Sequence, residues 1–200
     1  MQSLAQSYRK RGYLLATGQA TSYDSGIGVD DGALRKGIVK TYTVLTLGQY
    51  SGTTNITINS KTDVHNNACV FDNNTGLIWS QTVSGSVGPT SDGKLPWTTT
   101  GSGATAEGIF PYCAAANVAL LAGYGDWRVS NIAELSSLVR NVSPGGLPDS
   151  VAFPVFPAAF VWSSSTQTTA TANGLGIAFS SGIQGGIGKI NAVVCLLVRG

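Results

Sequence analysis

Ala122-Gly123-Tyr124-Gly125-Asp126-Trp127-Arg128-Val129-Ser130-Asn131-Ile132-Ala133-Glu134-Leu135 is the stretch whose reading decides the fold. It reads as the joint between two helices. Upstream, Cys113, Ala114, Asn117, Val118, Leu120 and Leu121 repeat near a helical period behind Pro111. Proline can open a helix because its missing N–H is not needed in the first turn. Gly123 then supplies a left-handed stop. Downstream, the Asn131 side chain can accept from the N–H of Glu134 while Glu134 reaches back, a capping box. Ile132, Leu135, Leu138 and Val139 form that helix's apolar stripe, and Pro144-Gly145-Gly146 ends it. Trp127, between the helices, and Trp162 are placed in the core because each has apolar neighbours.

Outward from the helices the chain turns to strands. Thr41 to Leu47 alternates and is rich in β-branched residues, and Asn55 to Asn59 does the same around Ile56 and Ile58. Val70-Phe71 and Leu77-Ile78-Trp79 flank Asp72-Asn73-Asn74-Thr75-Gly76, a hairpin signature. Ser84 to Gly103 is a polar loop. After the second helix come Phe160-Val161-Trp162, an alternating run from Gly174 to Phe179, and a turn at Ser181-Gly182. Alternation puts Ile177 and Phe179 inward and Gly176 and Ala178 outward, with Leu175 on the inward side by parity. Gly185-Gly186-Ile187-Gly188 reads as a display loop or loose turn, and Ala192 to Val198 as one central strand.

Composition narrows the classes. The chain has 200 residues, 42% hydrophobic and 11% charged, with a net charge of +2. A domain of that size buries roughly 70% of its unfolded surface. The charge gives no electrostatic footprint for nucleic acid, and Arg9-Lys10-Arg11 reads as part of a solvated arm, residues 1–12. No apolar run approaches the ~20 residues of a membrane span, so no membrane insertion is expected. No signal peptide is visible.

Catalytic and metal chemistry find little material. Cys69, Cys113 and Cys195 are far apart, and His65 is the single histidine. Zinc sites want clustered pairs, so no metal is expected. One long-range disulfide with a free thiol, or three reduced thiols, fit equally. Cys113 with His65 could in principle form a nucleophile and base, but both read more simply as core or surface residues. Gly182 to Gly188 lacks the Lys-Ser/Thr of a phosphate loop, and no cofactor is expected.

Read in order, Thr17-Gly18-Gln19-Ala20-Thr21-Ser22-Tyr23, Asp72 to Trp79, Tyr112-Cys113, Ala122 to Arg128, Asn131 to Leu135, Val161-Trp162-Ser163-Ser164 and Val198-Arg199 are similar to a known series of motifs. The chain from about Tyr13 onward resembles the C-terminal domain family of bacterial collagen-like adhesins, an outlying branch of the C-type lectin fold. The resemblance implies an α+β fold with two helices, a mixed or antiparallel central sheet, and adjacent N- and C-terminal strands within one domain, residues 13–200. The family has Pro after Asp-Trp-Arg-Leu where this chain has Val129-Ser130, and the family's late cysteine falls at Leu197 rather than Cys195. The tail, about 161–200, also resembles the variable region of retroelement-diversified proteins, which end in Val-Arg on this fold.

The resemblance implies a non-enzymatic protein that displays a variable surface to a protein or glycan receptor, from a virion or cell surface. The alternative is a structural adhesin or phage tail-tip component with a fixed protein partner. An enzyme of the formylglycine-generating type shares the fold but needs a late cysteine pair, of which only Cys195 is present. The binding positions expected are Leu175, Gly176, Ala178, Ser180, Ser181, Ile183, Gly185, Ile187, Ile190, Ala192 and Val193, merging into one flat patch. Ile183, Ile187 and Ile190 read equally as exposed display residues or as buried strand residues.

Overall fold

A computed structural model describes residues 16–17, 19, 37–45, 52–58, 61–84, 94–99, 106–140 and 146–200. The N-terminal arm, most of the polar loop 84–103, and Pro144-Gly145 lie outside these. The described architecture is α+β, with two helices and mostly antiparallel sheets.

The hairpin is where it was expected. β4 (Cys69–Asp72) and β5 (Ile78–Ser80) pair antiparallel with Val70 opposite Trp79. The Asp72 carboxylate accepts the N–H groups of Asn74 at 2.9 Å and Thr75 at 3.3 Å, and Gly76 takes φ 78°. Local chemistry closes this turn, and Asn73 and Asn74 then tie it to the segment 39–43. β1 (Tyr42–Leu45) pairs on its outer side, and β11 (Leu197–Arg199) and β6 (Arg128–Val129) on the other, giving the order β1-β4-β5-β11-β6. The first described strand is thus separated from the last by β4 and β5, and the expected adjacency of terminal strands is not found among the described strands. A separate hairpin joins β2 (Thr53–Ile58) to β3 (Lys61–Asn66).

Helix α1 runs Ile109–Val118, so it opens ahead of Pro111, which sits in the first turn where its missing N–H does no harm. It also ends earlier than expected. Leu120 and Ala122 both take left-handed φ of 52°, and Gly123 follows at 82°. The buried face is Ile109, Tyr112, Cys113 and Ala116. Of the stripe expected from the sequence, Cys113 and Leu121 are buried, whereas Val118 is 86% exposed and Leu120 51%, so those two face away from the core. Asn117 explains the early stop. Its side chain accepts the Trp127 N–H at 2.7 Å and donates to the Trp127 carbonyl at 2.9 Å, tying the helix end to the Tyr124–Trp127 turn.

Helix α2 (Ile132–Ser137) carries the complete capping box, Asn131 and Glu134 each bonding the other's backbone N–H at 2.9 Å. Arg128 adds a two-pronged ion pair to the same Glu134 carboxylate at 2.6 and 2.7 Å. Leu135 and Leu138 are fully buried beneath it.

The second large sheet has the order β10-β7-β8-β9: Val194–Cys195, Phe160–Thr166, Asn173–Ala178 and Ile183–Gly188. Only the β10–β7 pairing in it is parallel. Two expectations are corrected here. Gly185-Gly186-Ile187-Gly188 is not a loop but most of β9, in continuous register with β8. Ala192 to Val198 is not one strand: β10 belongs to this sheet and β11 to the five-stranded one. Along that run the side chains alternate between two cores. Cys195 and Leu197 join Trp127, Trp162, Tyr112 and Cys69. Val194, Leu196 and Val198 join Trp79, Leu135, Phe153 and Phe179. Trp127 and Trp162 are both buried, as their neighbours implied.

Candidate binding surface

The β7–β8–β9 sheet has one core on each face. Ile177 and Phe179 point to the side of α2. The other face is floored by glycine. A Cβ on Gly174 would sit 2.7 Å from the Trp97 ring, and one on Gly176 would fall closer than 3.0 Å to the Val161 carbonyl and to the Phe160 ring. Glycine inside a strand marks a place where another group lies directly against the backbone. Here those groups are aromatic.

Trp97 is fixed by its indole N–H donating to the Ser163 carbonyl at 2.7 Å and its backbone N–H to the Lys189 carbonyl at 2.8 Å. The Lys189 ammonium lies 4.0 Å from the Trp97 ring centroid and bonds Thr166 Oγ1 at 2.9 Å. Phe110, 40% exposed, stands edge-on to Trp97 at 5.0 Å. Phe160 is half-buried and edge-on to Trp162. The result is an amphipathic ridge of Trp97, Phe110 and Lys189 at the end of β9, next to the Lys189–Ala192 turn. Trp is enriched at interfaces because its ring is apolar at one end and a hydrogen-bond donor at the other.

The eleven positions singled out from the sequence do not merge into one flat patch. Gly176 is buried under Phe160, which corrects its outward placement. Leu175 is half-buried, on the face opposite Ala178, and its carbonyl accepts from Ser163 at 2.8 Å. Ala178, Gly185, Ile187 and Val193 are half-buried, the last two packed on the first core. Ser180, Ser181, Ile183, Ile190 and Ala192 are exposed, with Ile183 at 66% and Ile190 at 82%. The exposed ones fall at the two ends of β9. A strand of that length spans roughly 20 Å, so the ends are separate on one chain.

Trp97, Phe110, Phe160 and Lys189 were missed as surface candidates. The one signal in the sequence was Gly174 and Gly176 recurring on one strand face, which implies an approaching group. The reading made of it was a flat, small-residue surface.

The titratable groups lie elsewhere. Cys113 donates to the Trp127 carbonyl at 3.1 Å, and His65 pairs with Thr82 Oγ1 at 3.0 Å, so the two do not form a nucleophile–base pair. Burial pushes the Cys69 thiol up to about 12 and Cys113 up to about 11, and raises Cys195 as well. All three are free. Burial lowers the His65 pKa, against the pull of Asp63. The Asp63 carboxylate accepts from the Tyr112 hydroxyl at 2.6 Å. Among the described residues, no three His, Cys, Asp or Glu side chains gather in a way that could hold a metal. No described helix is long and apolar enough to cross a membrane.

Comparison with protein families matches residues 68–199 to the Lcl C-terminal domain. No curated protein and no solved structure matches the chain.

Proposed function

Because the chain belongs to the Lcl C-terminal domain family, we propose that it is an adhesin-type display domain of C-type-lectin-like fold. Its task is to bind a receptor on a target surface, protein or glycan, without catalysis. The observation that carries this reading is the ridge of Trp97, Phe110 and Lys189 standing beside the exposed Ile190 and Ala192 at the end of β9. Sites that recognise other molecules commonly put exposed loop residues on a rigid scaffold, with a few aromatic anchors among them. The non-catalytic reading is supported by thiols that burial holds protonated and by the separate partners of His65 and Cys113.

The finer proposal is that the tail is a retroelement-diversified region, Ser180, Ser181, Ile183, Ile190 and Ala192 being the positions free to vary. Their exposure supports it, since substitution there disturbs no core contact. Two experiments test the reading. Ala192→Arg with Phe110→Ala should abolish binding to receptor-bearing cells or arrayed glycans while the melting temperature stays within a few degrees. Undiminished binding would overturn the assignment of the ridge. For diversification, a neighbouring reverse transcriptase gene with a near-copy of the coding sequence for 161–200 is expected, and its absence would remove that part.

A further inference from the structure

We propose that β9 pairs with β9 of a second copy of this chain, and that this pairing joins the two ends of the display surface across the two copies. It goes beyond the proposed function, which concerns what one chain presents, and it rests on the backbone of β9.

The argument begins with which backbone groups face outward. Lys189 donates its N–H to the Ala172 carbonyl at 3.0 Å, and Gly188 pairs opposite Asn173. In an antiparallel ladder, residues opposite each other alternate between exchanging both hydrogen bonds and exchanging none. That phase points the N–H and C=O groups of Ile183, Gly185 and Ile187 at β8, and those of Gln184, Gly186 and Gly188 away from it. The Gly188 carbonyl is occupied by the Asn191 backbone at 2.9 Å and side chain at 2.8 Å. Gln184 and Gly186 therefore offer two donors and two acceptors on an edge that no described strand covers.

An open edge of this kind is ordinarily blunted by charge, proline or a bulge. β9 is Ile183-Gln184-Gly185-Gly186-Ile187-Gly188, with neither charge nor proline, and its register with β8 is unbroken. A two-fold axis at Gly185 satisfies all four groups at once. Gln184 of one copy then exchanges both bonds with Gly186 of the other, and reciprocally. In the same register Ile183, 66% exposed, lies across from Ile187 of the second copy on one face. No charged side chain faces another between the strands. Shifting the axis to Gly186 would require the Gly188 carbonyl already held by Asn191. The edge is thus complementary to itself in one register.

The sheet's other edge is β10, two buried residues long and continuous with the five-stranded sheet, so the assembly closes at two copies. Beyond the strands, this register brings the Lys189–Ala192 turn of one copy toward the Ser180–Gly182 turn of the other. The ends that lie roughly 20 Å apart on one chain become neighbours across the pair.

The test uses the full chain. Gly185 would face its own counterpart as a non-hydrogen-bonded pair with Cα atoms ~4.5 Å apart, within the range a disulfide spans. Gly185→Cys should form a linked dimer under mild oxidation. Ile183→Cys should link to Ile187→Cys when the two variants are mixed, and neither should link to itself. Gln184→Pro removes an outward donor while leaving the β8 ladder intact, and should shift the protein from dimer to monomer in sedimentation with an unchanged circular dichroism spectrum. Ile183→Lys, at an exposed position, should do the same if the proline variant fails to fold. A wild-type protein monomeric at all concentrations, a Gly185→Cys variant that does not link, or a dimer indifferent to both edge variants would overturn the pairing. Receptor binding by the Gln184→Pro monomer would leave the display reading standing, so the two proposals fail separately.

Discussion

Replacing Gly176 by alanine adds one methyl group where the structure has no room for it. The new Cβ would lie closer than 3.0 Å to the Val161 carbonyl oxygen and 2.9 Å from the Phe160 Cζ, whereas ordinary contact begins at 3.4 Å. The Phe160 ring can tilt away. The carbonyl cannot, because it belongs to the β7 backbone, so β7 and β8 must part by several tenths of an ångström over Val161–Trp162. Overpacking of this kind destabilises by about 1–3 kcal/mol. For a chain of this size that lowers the melting temperature by roughly 2–12 °C. Gly185→Ala is the control, since its Cβ would meet only the Phe160 ring, at 3.9 Å. It should change stability by less than about 0.5 kcal/mol. Urea unfolding followed by tryptophan fluorescence measures both. If Gly176→Ala is as stable as Gly185→Ala, Phe160 does not lie on Gly176 and the strand is open to solvent as the alternation alone suggested.

Further outcomes follow from the same geometry. Asn117→Ala should lose about 2 kcal/mol, because it strips both bonds from the Trp127 backbone; an unchanged urea midpoint would show that water replaces them. His65 is buried with its pKa lowered by desolvation, so the unfolded chain takes up a proton near pH 6.5 that the native ring refuses. Stability should therefore be fully present above that pH and fall below it by up to about 1.4 kcal/mol per pH unit, until the ring's own folded pKa is reached. Glu134, held low chiefly by its hydrogen bond from Arg128, acts only at and below its ordinary value of 4.5, so His65→Gln should flatten the profile just below pH 6.5; a slope that persists there would assign it to another group. Thiol titration at pH 8 should find no reactive cysteine in the native protein and all three after denaturation, and rapid native labelling would contradict their burial.

What was legible in the sequence was local. The Asp72–Gly76 turn and the Asn131–Glu134 box are closed by residues within a few positions of one another, so their chemistry is written in adjacent letters. The run 192–198 defeated the same approach, because an unbroken apolar stretch looks alike whether it stays in one sheet or passes between two. The helical period of α1 fails at Leu120 because Leu120 and Ala122 adopt left-handed backbone beside the Asn117–Trp127 bonds, which no propensity announces. The aromatic ridge depends on Trp97 reaching Ser163, 66 positions away. Exposure at Ser180, Ser181, Ile183, Ile190 and Ala192 agreed with the turn signals around them, whereas Gly176 needed knowledge of the ring above it.

The zigzag of residues 194–198 between the two cores has a consequence for how the chain is made. Neither half can seal itself first and wait for the other, since one five-residue span supplies the inner wall of both. Unfolding should accordingly be a single event, seen at one denaturant concentration by every probe. During synthesis the ribosome must pass Val198 before either interior can close, so a nascent chain stopped short of Val194 should stay protease-sensitive throughout. Strands such as β5, 117 positions from the Leu197 that Ser80 Oγ bonds, have to wait for almost the whole described sequence to emerge. Folding is then governed by the slow search for distant partners rather than by its quickly formed turns and helices.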